Sequence, residues 1–145
     1  MIREMQAGDI GRVMEIWLKE NTEAHRFIDV QYWKGHFEMV REMLPQAEVY
    51  VNQDSGCVNG FIGLNGGYIE GIFVSGNAQS RGIGRQLMEH AKRLRGQLSL
   101  SVYQKNESAI RFYRREGFRI ERTGVDEETG EPEFTMVWMR KAAQR

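Results

Sequence analysis

The sequence has little of three things that would assign its class at once: cysteine, net charge and long apolar runs. Cys57 is its single cysteine, which excludes an internal disulfide and a cysteine-rich metal site. The 20 basic and 20 acidic residues cancel, so no overall field attracts nucleic acid or an anionic membrane. Residues 1–21 contain acidic residues and Gly8 but no uninterrupted apolar stretch, unlike a signal peptide or a membrane span. We therefore expect a cytoplasmic protein with no metal, no nucleic-acid partner and no membrane partner.

The apolar pattern of the 145 residues predicts one α/β domain, residues 1–145, without repeats or linkers. Period-two patterns predict strands at residues 2–5, 49–51, 60–64, 68–74, 98–103, 118–121 and 134–139. Helical spacing predicts helices after Asp9, after Asp29, in residues 83–94 and after Asn106. This order favours a mixed, mostly antiparallel central sheet flanked by about four helices.

The sequence also predicts several local features of the helices, strands and turns. Asp9 is expected to cap the first helix, residues 21–27 to form a polar break, and residues 52–59 to join two strands through an Asp54-Ser55-Gly56 turn. Strand alternation places Tyr68, Glu70, Ile72 and Val74 on one side of their strand. The inward face of the third helix is expected to consist of Ile83, Leu87, Ala91 and Leu94.

Residues 73–85 form the most informative stretch, because a strand-like run passes through a polar loop with glycines into an amphipathic helix. Glycines let a ligand approach the backbone, and the free N–H groups of a helix N-terminus attract anions. The stretch therefore predicts a site for a diphosphate. A P-loop is excluded because no Gly-Lys-Ser/Thr follows, and a dinucleotide fingerprint is excluded because Leu87 stands where a third glycine is needed.

The pattern Gln79-x-x-Gly82-x-Gly84 resembles the signature of the GNAT superfamily of acyl-CoA-dependent N-acetyltransferases. A second match lies in residues 102–118, where a strand is followed by Asn106, a helix with a Phe112-Tyr113 pair and a Gly117-Phe118 step. Together the motifs span residues 68–118, and the chain has the length of one GNAT domain. With residues 25–28, the pattern is most similar to small bacterial GNAT proteins of the YjaB and YiaC kind.

The resemblance implies that acetyl-CoA is the acetyl donor and that the strands before and after the diphosphate site splay apart. The backbone of Phe73 and Val74 would pair with the pantetheine arm. The diphosphate would be held by residues Gln79, Ser80, Arg81, Gly82, Ile83, Gly84 and Arg85. Asn106 is expected to cap its helix, and the resemblance adds a contact with the cofactor arm or an ordered water.

Tyr113 is the predicted general acid for the departing thiolate, since a phenol with a pKa of about 10 stays protonated at neutral pH. The alternative is that Tyr113 is only the aromatic partner of Phe112 in the core. Glu70 is the predicted base for the attacking amine, either directly or through a water. A solvent-facing strand residue is the alternative interpretation of Glu70.

The acceptor site is expected to be built from the N-terminal helices and the loops that face the same cleft. Candidate wall residues are His25, Phe27, Tyr32 and Trp33, and Tyr68 is expected to orient the substrate or a water. Trp33 lies at helical spacing with other apolar residues, which also fits a place in the core. The acidic segment 126–133 would attract a cationic acceptor, although a solvated loop explains the same charges.

The sequence therefore favours an acetyl-CoA-dependent N-acetyltransferase in which a primary amine attacks the thioester directly. Cys57 has no evident histidine partner, which argues against a covalent cysteine intermediate. A protein lysine or N-terminal amine is favoured as acceptor by the YiaC-like resemblance. Small-molecule amines such as polyamines, amino acids or aminoglycosides are the alternative acceptors, and a non-catalytic acyl-CoA sensor is the alternative class. The protein is expected to be a monomer or homodimer.

Overall fold

The computed structural model of the chain describes residues 1–141. Its strands are β1 (Ile2–Glu4), β2 (Glu48–Asp54), β3 (Cys57–Asn65), β4 (Tyr68–Val74), β5 (Gln97–Tyr103), β6 (Arg119–Val125) and β7 (Pro132–Met139). Its α-helices are α1 (Ile10–Ala24), α2 (Val30–Met43), α3 (Ile83–Leu94) and α4 (Glu107–Arg115). Short 3-10 turns at Ala7–Asp9, Leu44–Gln46 and Gly76–Ala78 complete the regular structure of the described residues.

The described strands form one seven-stranded sheet in the order β1-β2-β3-β4-β5-β7-β6. Neighbouring strands are antiparallel except β4 and β5, which run parallel. The predicted fold class, an α/β domain with a mixed and mostly antiparallel sheet, is therefore confirmed. The parallel pair matters for the site, since β4 and β5 lie in the middle of the sheet and a helix must connect them.

The helices cover both faces of the sheet. One apolar cluster packs α3 and α4 against one face, with Leu87, Met88 and Met136 fully buried. A second apolar cluster, which includes Val13 and Met14, packs α1 and α2 against the other face. The apolar stripes of the helices drive this three-layer arrangement, because each stripe buries its surface against the sheet.

The ends of several elements follow from local chemistry as predicted. The Asp29 carboxylate accepts from the N–H of Gln31 and caps α2, and the Asn106 side chain accepts from the N–H of Ala109 and caps α4. Gly117 has a φ of 94° just beyond α4, a conformation that glycine adopts without strain. β4 has the predicted bounds, Tyr68–Val74.

Three local expectations were wrong. Asp9 does not cap α1 with its side chain, because its carboxylate binds Arg3 at 2.7 Å and the N–H of Gln6 at 2.8 Å. The expected break at residue 21 does not occur, since α1 continues to Ala24. Leu94 ends α3 with 43% of its surface exposed, so it is not part of the inward face.

The hairpin between β2 and β3 is tighter than expected. Its turn consists of Ser55 and Gly56 alone, with φ values of 53° and 76°. Two positive φ values are typical of a type I′ turn, whose twist matches that of the strands. The strands therefore continue through most of the segment that was expected to be a loop.

A β-bulge interrupts β4 at Glu70. Gly63 pairs with Gly71 and Leu64 pairs with Ile69, so Glu70 is an extra residue that faces no partner on β3. The bulge shifts the alternation of side chains, and Ile69 therefore packs in the same cluster as Ile72. For this reason, the expectation that the side chains of Tyr68, Glu70, Ile72 and Val74 all lie on one side of β4 is wrong.

Candidate functional site

The gap between β4 and β5 is the centre of the candidate site. Tyr68 and Ser99 are the register pair that joins the two strands, and the N–H of Ser99 donates to the carbonyl of Gly67 at 2.9 Å. Beyond this point the strands diverge, and backbone groups on their facing edges are released from sheet pairing. The predicted splay is thus present in the structure, and it opens towards the loop before α3.

Pairing with β3 decides which β4 backbone groups face the gap. The N–H of Ser75 donates to the carbonyl of Asn59 at 2.8 Å, so the antiparallel alternation makes Phe73 and Phe61 the next hydrogen-bonded pair. The N–H and C=O of Phe73 are therefore directed to β3. The N–H and C=O of Ile72 and Val74 are directed into the gap. The exposed edge therefore presents the backbone groups of Ile72 and Val74, whereas the sequence predicted those of Phe73 and Val74.

The loop that follows β4 has the form of an anion site. Gly82, with a φ of 79°, is the N-cap of α3, and Ser80 also has a positive φ, 68°. The first hydrogen bond of α3 runs from the N–H of Gln86 to the carbonyl of Gly82. The N–H groups of residues 83–85 therefore have no acceptor within the helix, and the helix dipole adds to their attraction for an anion.

A cleft of about 830 Å³ extends from this loop between α3 and α4. Predicted diphosphate-binding residues that line it are Gln79, Ser80, Gly82, Ile83, Gly84 and Arg85. Arg81 is exposed and lies outside the lining, whereas Arg115 lies within it. A Cβ on Gly84 would lie 3.4 Å from the Phe112 ring, so glycine lets α3 and α4 approach closely here.

Tyr113 lies where this cleft meets a second one. Its ring packs at 5.6 Å from that of Phe112 and 5.9 Å from that of Phe118, and the side chain lines both clefts. Burial raises the pKa of the Tyr113 hydroxyl, and the nearby Tyr68 raises it further. The phenol is thus protonated at neutral pH and able to donate a proton, which is the chemistry predicted for it.

The second cleft, of about 860 Å³, lies on the side of α1 and α2 and is lined by the facing edges of β4 and β5. It contains His25, Trp33, Tyr68 and Glu70 of the predicted site residues, but Phe27 is not among its lining residues. Glu70 is exposed at the bulge, and Asn65 donates to its carboxylate at 3.4 Å. The structure brings Glu70, Tyr68 and Tyr113 to one cleft.

The second cleft is strongly acidic. Its lining contains no lysine or arginine among the described residues and six carboxylates: Glu20, Glu70, Asp126, Glu127, Glu128 and Glu133. The first cleft contains Arg85, Lys92 and Arg115 together with Glu89 and Glu116, and Lys92 pairs with Glu116 at 3.3 Å. The balanced charge of the sequence therefore conceals one strongly acidic cleft, which shares Tyr113 with a cleft of mixed charge.

Two tyrosine–carboxylate hydrogen bonds hold the acidic loop against the cleft walls. Tyr32 on α2 donates to Glu128 at 2.6 Å, and Tyr103 on β5 donates to Asp126 at 2.5 Å. Burial, followed by these carboxylates, raises the pKa of both phenols. The loop 126–131 is thus fixed over the cleft rather than only solvated. Its acidic composition was visible in the sequence, but the partner Tyr103 was not.

His25 and Trp33 belong to an aromatic cluster at the rear of the second cleft. His25 is buried and stacks on Trp33 at 5.3 Å, and its Nε2 lies 3.2 Å from the amide nitrogen of Asn106. Burial lowers the pKa of His25, so the ring is neutral and Nε2 accepts from the amide. Trp33 is 8% exposed, which supports the core interpretation of this residue. Phe27 packs edge-on against the His25 ring at 5.8 Å.

Glu20 was not found from the sequence. It is buried at the end of α1, where its carboxylate accepts from the N–H of Gly76 and from the amide of Gln79. The sequence offered no signal for it, because residues 21–27 were expected to be a polar break and a glutamate just before such a break does not stand out.

Neither a metal-binding cluster nor a membrane-spanning helix is found in residues 1–141. No group of three or more histidine, cysteine, aspartate or glutamate side chains is arranged to hold a metal ion there. No helix within that range combines the length and apolar character needed to cross a membrane. Cys57 is exposed at the start of β3 and lines none of the clefts described above.

Comparison with known proteins gives a consistent result. The family model described as the acetyltransferase (GNAT) domain matches residues 45–120. The peptidyl-lysine N-acetyltransferase YiaC of Escherichia coli K12 is 36% identical over 140 residues, which cover 95% of this chain and 96% of YiaC. The peptidyl-lysine N-acetyltransferase YjaB of the same strain is 29% identical over 133 residues, 90% of each chain.

Solved structures share the fold. The solution structure of apo YjaB from Escherichia coli superposes with a TM-score of 0.85 and 26% identity, and the match covers 97% of this chain and 98% of YjaB. The PaiA N-acetyltransferase of Thermoplasma acidophilum, solved in complex with coenzyme A, gives a TM-score of 0.83 at 16% identity, over 96% of this chain and 98% of PaiA.

Proposed function

This chain belongs to the GNAT family of N-acetyltransferases, and from that premise we propose that it transfers the acetyl group of acetyl-CoA to the side-chain amine of a protein lysine. The observation that carries the acceptor assignment is the acidic second cleft, which has six carboxylates and no lysine or arginine among its described lining residues. A lysine ammonium is attracted to such a cleft and is desolvated at lower cost beside carboxylates. The 36% identity with a peptidyl-lysine acetyltransferase supports the same choice.

The first cleft fits acetyl-CoA. Three free N–H groups at the start of α3, together with Arg85 and Arg115, suit the charge of a diphosphate, and the cleft leads from there to Tyr113. The N–H and C=O of Ile72 and the N–H of Val74 are available to the amides of the pantetheine arm, whereas the Val74 carbonyl accepts from Gln79. When bound, acetyl-CoA supplies a thioester as the acetyl donor.

Proton movements are assigned to residues at the junction of the clefts. Tyr113 is the general acid: its hydroxyl holds the proton that the departing sulfur requires, because burial keeps the phenol neutral. Asn106, whose amide is oriented by His25 and by the N–H of Ala109, lines the same cleft. The exposed Glu70 at the bulge accepts the proton of the ammonium, directly or through water.

An acceptor panel tests the lysine assignment. Peptides with one free lysine and a blocked N-terminus are compared with peptides that have a free N-terminus and no lysine, and with spermidine and an aminoglycoside. Thiol release and mass spectrometry of the products give rates and the modified nitrogen. We expect turnover on the lysine peptides and a loss of at least tenfold in the Tyr113→Phe variant.

Two outcomes would contradict the proposal. Faster acetylation of spermidine or the aminoglycoside than of every lysine peptide would assign the protein to small-molecule acetylation. Tight binding of acetyl-CoA without turnover on any acceptor would favour the alternative of a non-catalytic acyl-CoA sensor.

A further inference from the structure

A buried carboxylate from α1 contacts the loop that holds the proposed diphosphate site. Glu20 is 8% exposed, and both of its oxygens accept hydrogen bonds from this loop. The backbone N–H of Gly76 lies 3.1 Å from one oxygen, and the amide nitrogen of Gln79 lies 3.0 Å from the other. The same amide nitrogen donates to the carbonyl of Val74 at 3.1 Å. Both hydrogens of the Gln79 amide are therefore used within the protein.

The loop has few other ties at this point. Within residues 1–141, no backbone–backbone hydrogen bond joins Gln79, Ser80 or Arg81 to another helix or strand. Their course from the end of β4 to the N-cap Gly82 thus depends on side-chain contacts, of which the Glu20–Gln79 bond is one. The hydrogen bonds to Glu20 restrain the loop, and they are strongest when the carboxylate is ionised. Burial raises the pKa of this carboxylate, and the N–H of Gly76 lowers it.

We propose that Glu20 is a positioning residue for acetyl-CoA binding. It fixes the Gly76 N–H and the Gln79 amide, and it thereby holds the loop in the shape that leaves the first N–H groups of α3 open to a diphosphate. Glu20 acts through the loop and touches no reacting atom. This inference depends on the proposed use of acetyl-CoA, and it assigns to an α1 residue a role in the affinity for that substrate.

The chain allows a matched set of variants. Glu20→Gln keeps the size of the side chain but leaves one oxygen for two donors. Gly76→Pro removes the N–H that donates to Glu20, and Ser75 before it has the extended conformation that proline requires of its predecessor, with φ of −54° and ψ of 137°. Gly76→Ala keeps the N–H, and its Cβ would lie at an ordinary 3.8 Å from the Glu20 carboxylate. Gly76→Ala is therefore the control.

The measurement is the Kd for coenzyme A by isothermal titration calorimetry, which needs no acceptor. Glu20→Gln and Gly76→Pro are expected to raise Kd about tenfold, and Gly76→Ala less than twofold. With a lysine peptide, Glu20→Gln is expected to raise the KM for acetyl-CoA to a similar extent. Glu20 also lines the acidic second cleft, so the peptide KM is measured separately. The test is that the Kd for coenzyme A, measured without acceptor, and the KM for acetyl-CoA rise together, which a loss of stability alone does not produce.

An unchanged Kd in a folded Glu20→Gln variant would overturn the inference, as would equal effects of proline and alanine at position 76. A loss of kcat with unchanged Kd would instead place Glu20 in acceptor chemistry and also overturn it. If Gly76→Pro does not fold, as judged by circular dichroism, Glu20→Gln decides the question. Wild-type protein that binds no coenzyme A would refute the proposed function itself.

Discussion

Replacement of Tyr113 by phenylalanine separates its two interpretations, general acid and core aromatic residue. The phenylalanine ring keeps the contacts with Phe112 and Phe118, at 5.6 and 5.9 Å, and loses only the hydroxyl. That hydroxyl forms no hydrogen bond to another side chain or backbone group described here. Stability should therefore change little, whereas loss of an acid should slow the reaction.

The expected rate effect follows from the leaving group. A thiol with a pKa of about 8.5 is disfavoured as thiolate at pH 7 by about 2 kcal/mol, since each pKa unit corresponds to about 1.36 kcal/mol. A general acid that supplies the whole of this energy accelerates the reaction by about 30-fold. We therefore expect kcat of Tyr113→Phe to fall between about 10-fold and 100-fold. Burial raises the pKa of the phenol, so the wild-type rate should not decline between pH 7 and 9 through loss of this proton.

The assay combines steady-state thiol release at saturating acetyl-CoA with thermal unfolding of both proteins. A decrease in kcat of less than threefold would refute the acid role. A melting temperature lowered by many degrees together with the rate would show instead that Tyr113 acts through packing. Phe112→Leu is the matched control, since it disturbs the same aromatic pair without removing a hydroxyl.

Three further predictions concern the loop before α3, the acceptor amine and His25. Gly82→Ala is expected to destabilise the protein by about 1–2 kcal/mol in urea unfolding and to weaken coenzyme A binding. The φ of Gly82 is 79°, which strains a residue that has a Cβ, and the added Cβ meets no atom within 4 Å. Backbone strain is therefore the sole cost. In Glu70→Gln, kcat/KM for a lysine peptide should rise about tenfold per pH unit from pH 6 to 8, since without this base a lysine amine of pKa about 10.4 must lose its proton to solvent at a cost of about 4.6 kcal/mol at pH 7; a profile that levels near pH 8 would indicate an α-amine. Because burial lowers the pKa of His25, the unfolded state binds a proton more readily, so the free energy of unfolding should fall as pH decreases below about 6.5, and less so in His25→Gln; equal slopes for the two proteins would contradict this assignment.

Much of the fold and one half of the site were accessible from the sequence. The bounds of β4, the caps of α2 and α4 and the turn at Gly117 were predicted correctly because short-range patterns determine them. The loop before α3 was predicted from its glycines for the same reason: Gly82 adopts a conformation that its own lack of a Cβ permits. The GNAT resemblance that rests on this loop is confirmed by the family match over residues 45–120.

Features that depend on pairing or burial were missed. The bulge at Glu70 is defined by the pairing with β3, on which Glu70 has no partner. The sequence of β4 alone predicts a regular alternation of side chains. The last turn of α1 was interpreted as a break since its residues are polar, but Glu20 and Asn21 are buried at 8% and 4% exposure. Their burial follows from the loop and helices that pack over them, which no local pattern contains.

Residues close together in the chain were enough to predict most of the elements, the glycine-containing loop before α3 and the candidate acid Tyr113. The distribution of the charges depends instead on the tertiary structure. Acidic residues from α1, β4, β7 and the loop 126–131 converge on one cleft, whereas residues of both signs from α3 and α4 line the other. The tertiary structure also brings Glu20 to Gly76 and Gln79, more than 50 residues away along the chain. The physical reason is that electrostatic and hydrogen-bonding partners are set by distance in space, which the packing of helices on a sheet fixes only once the core has formed.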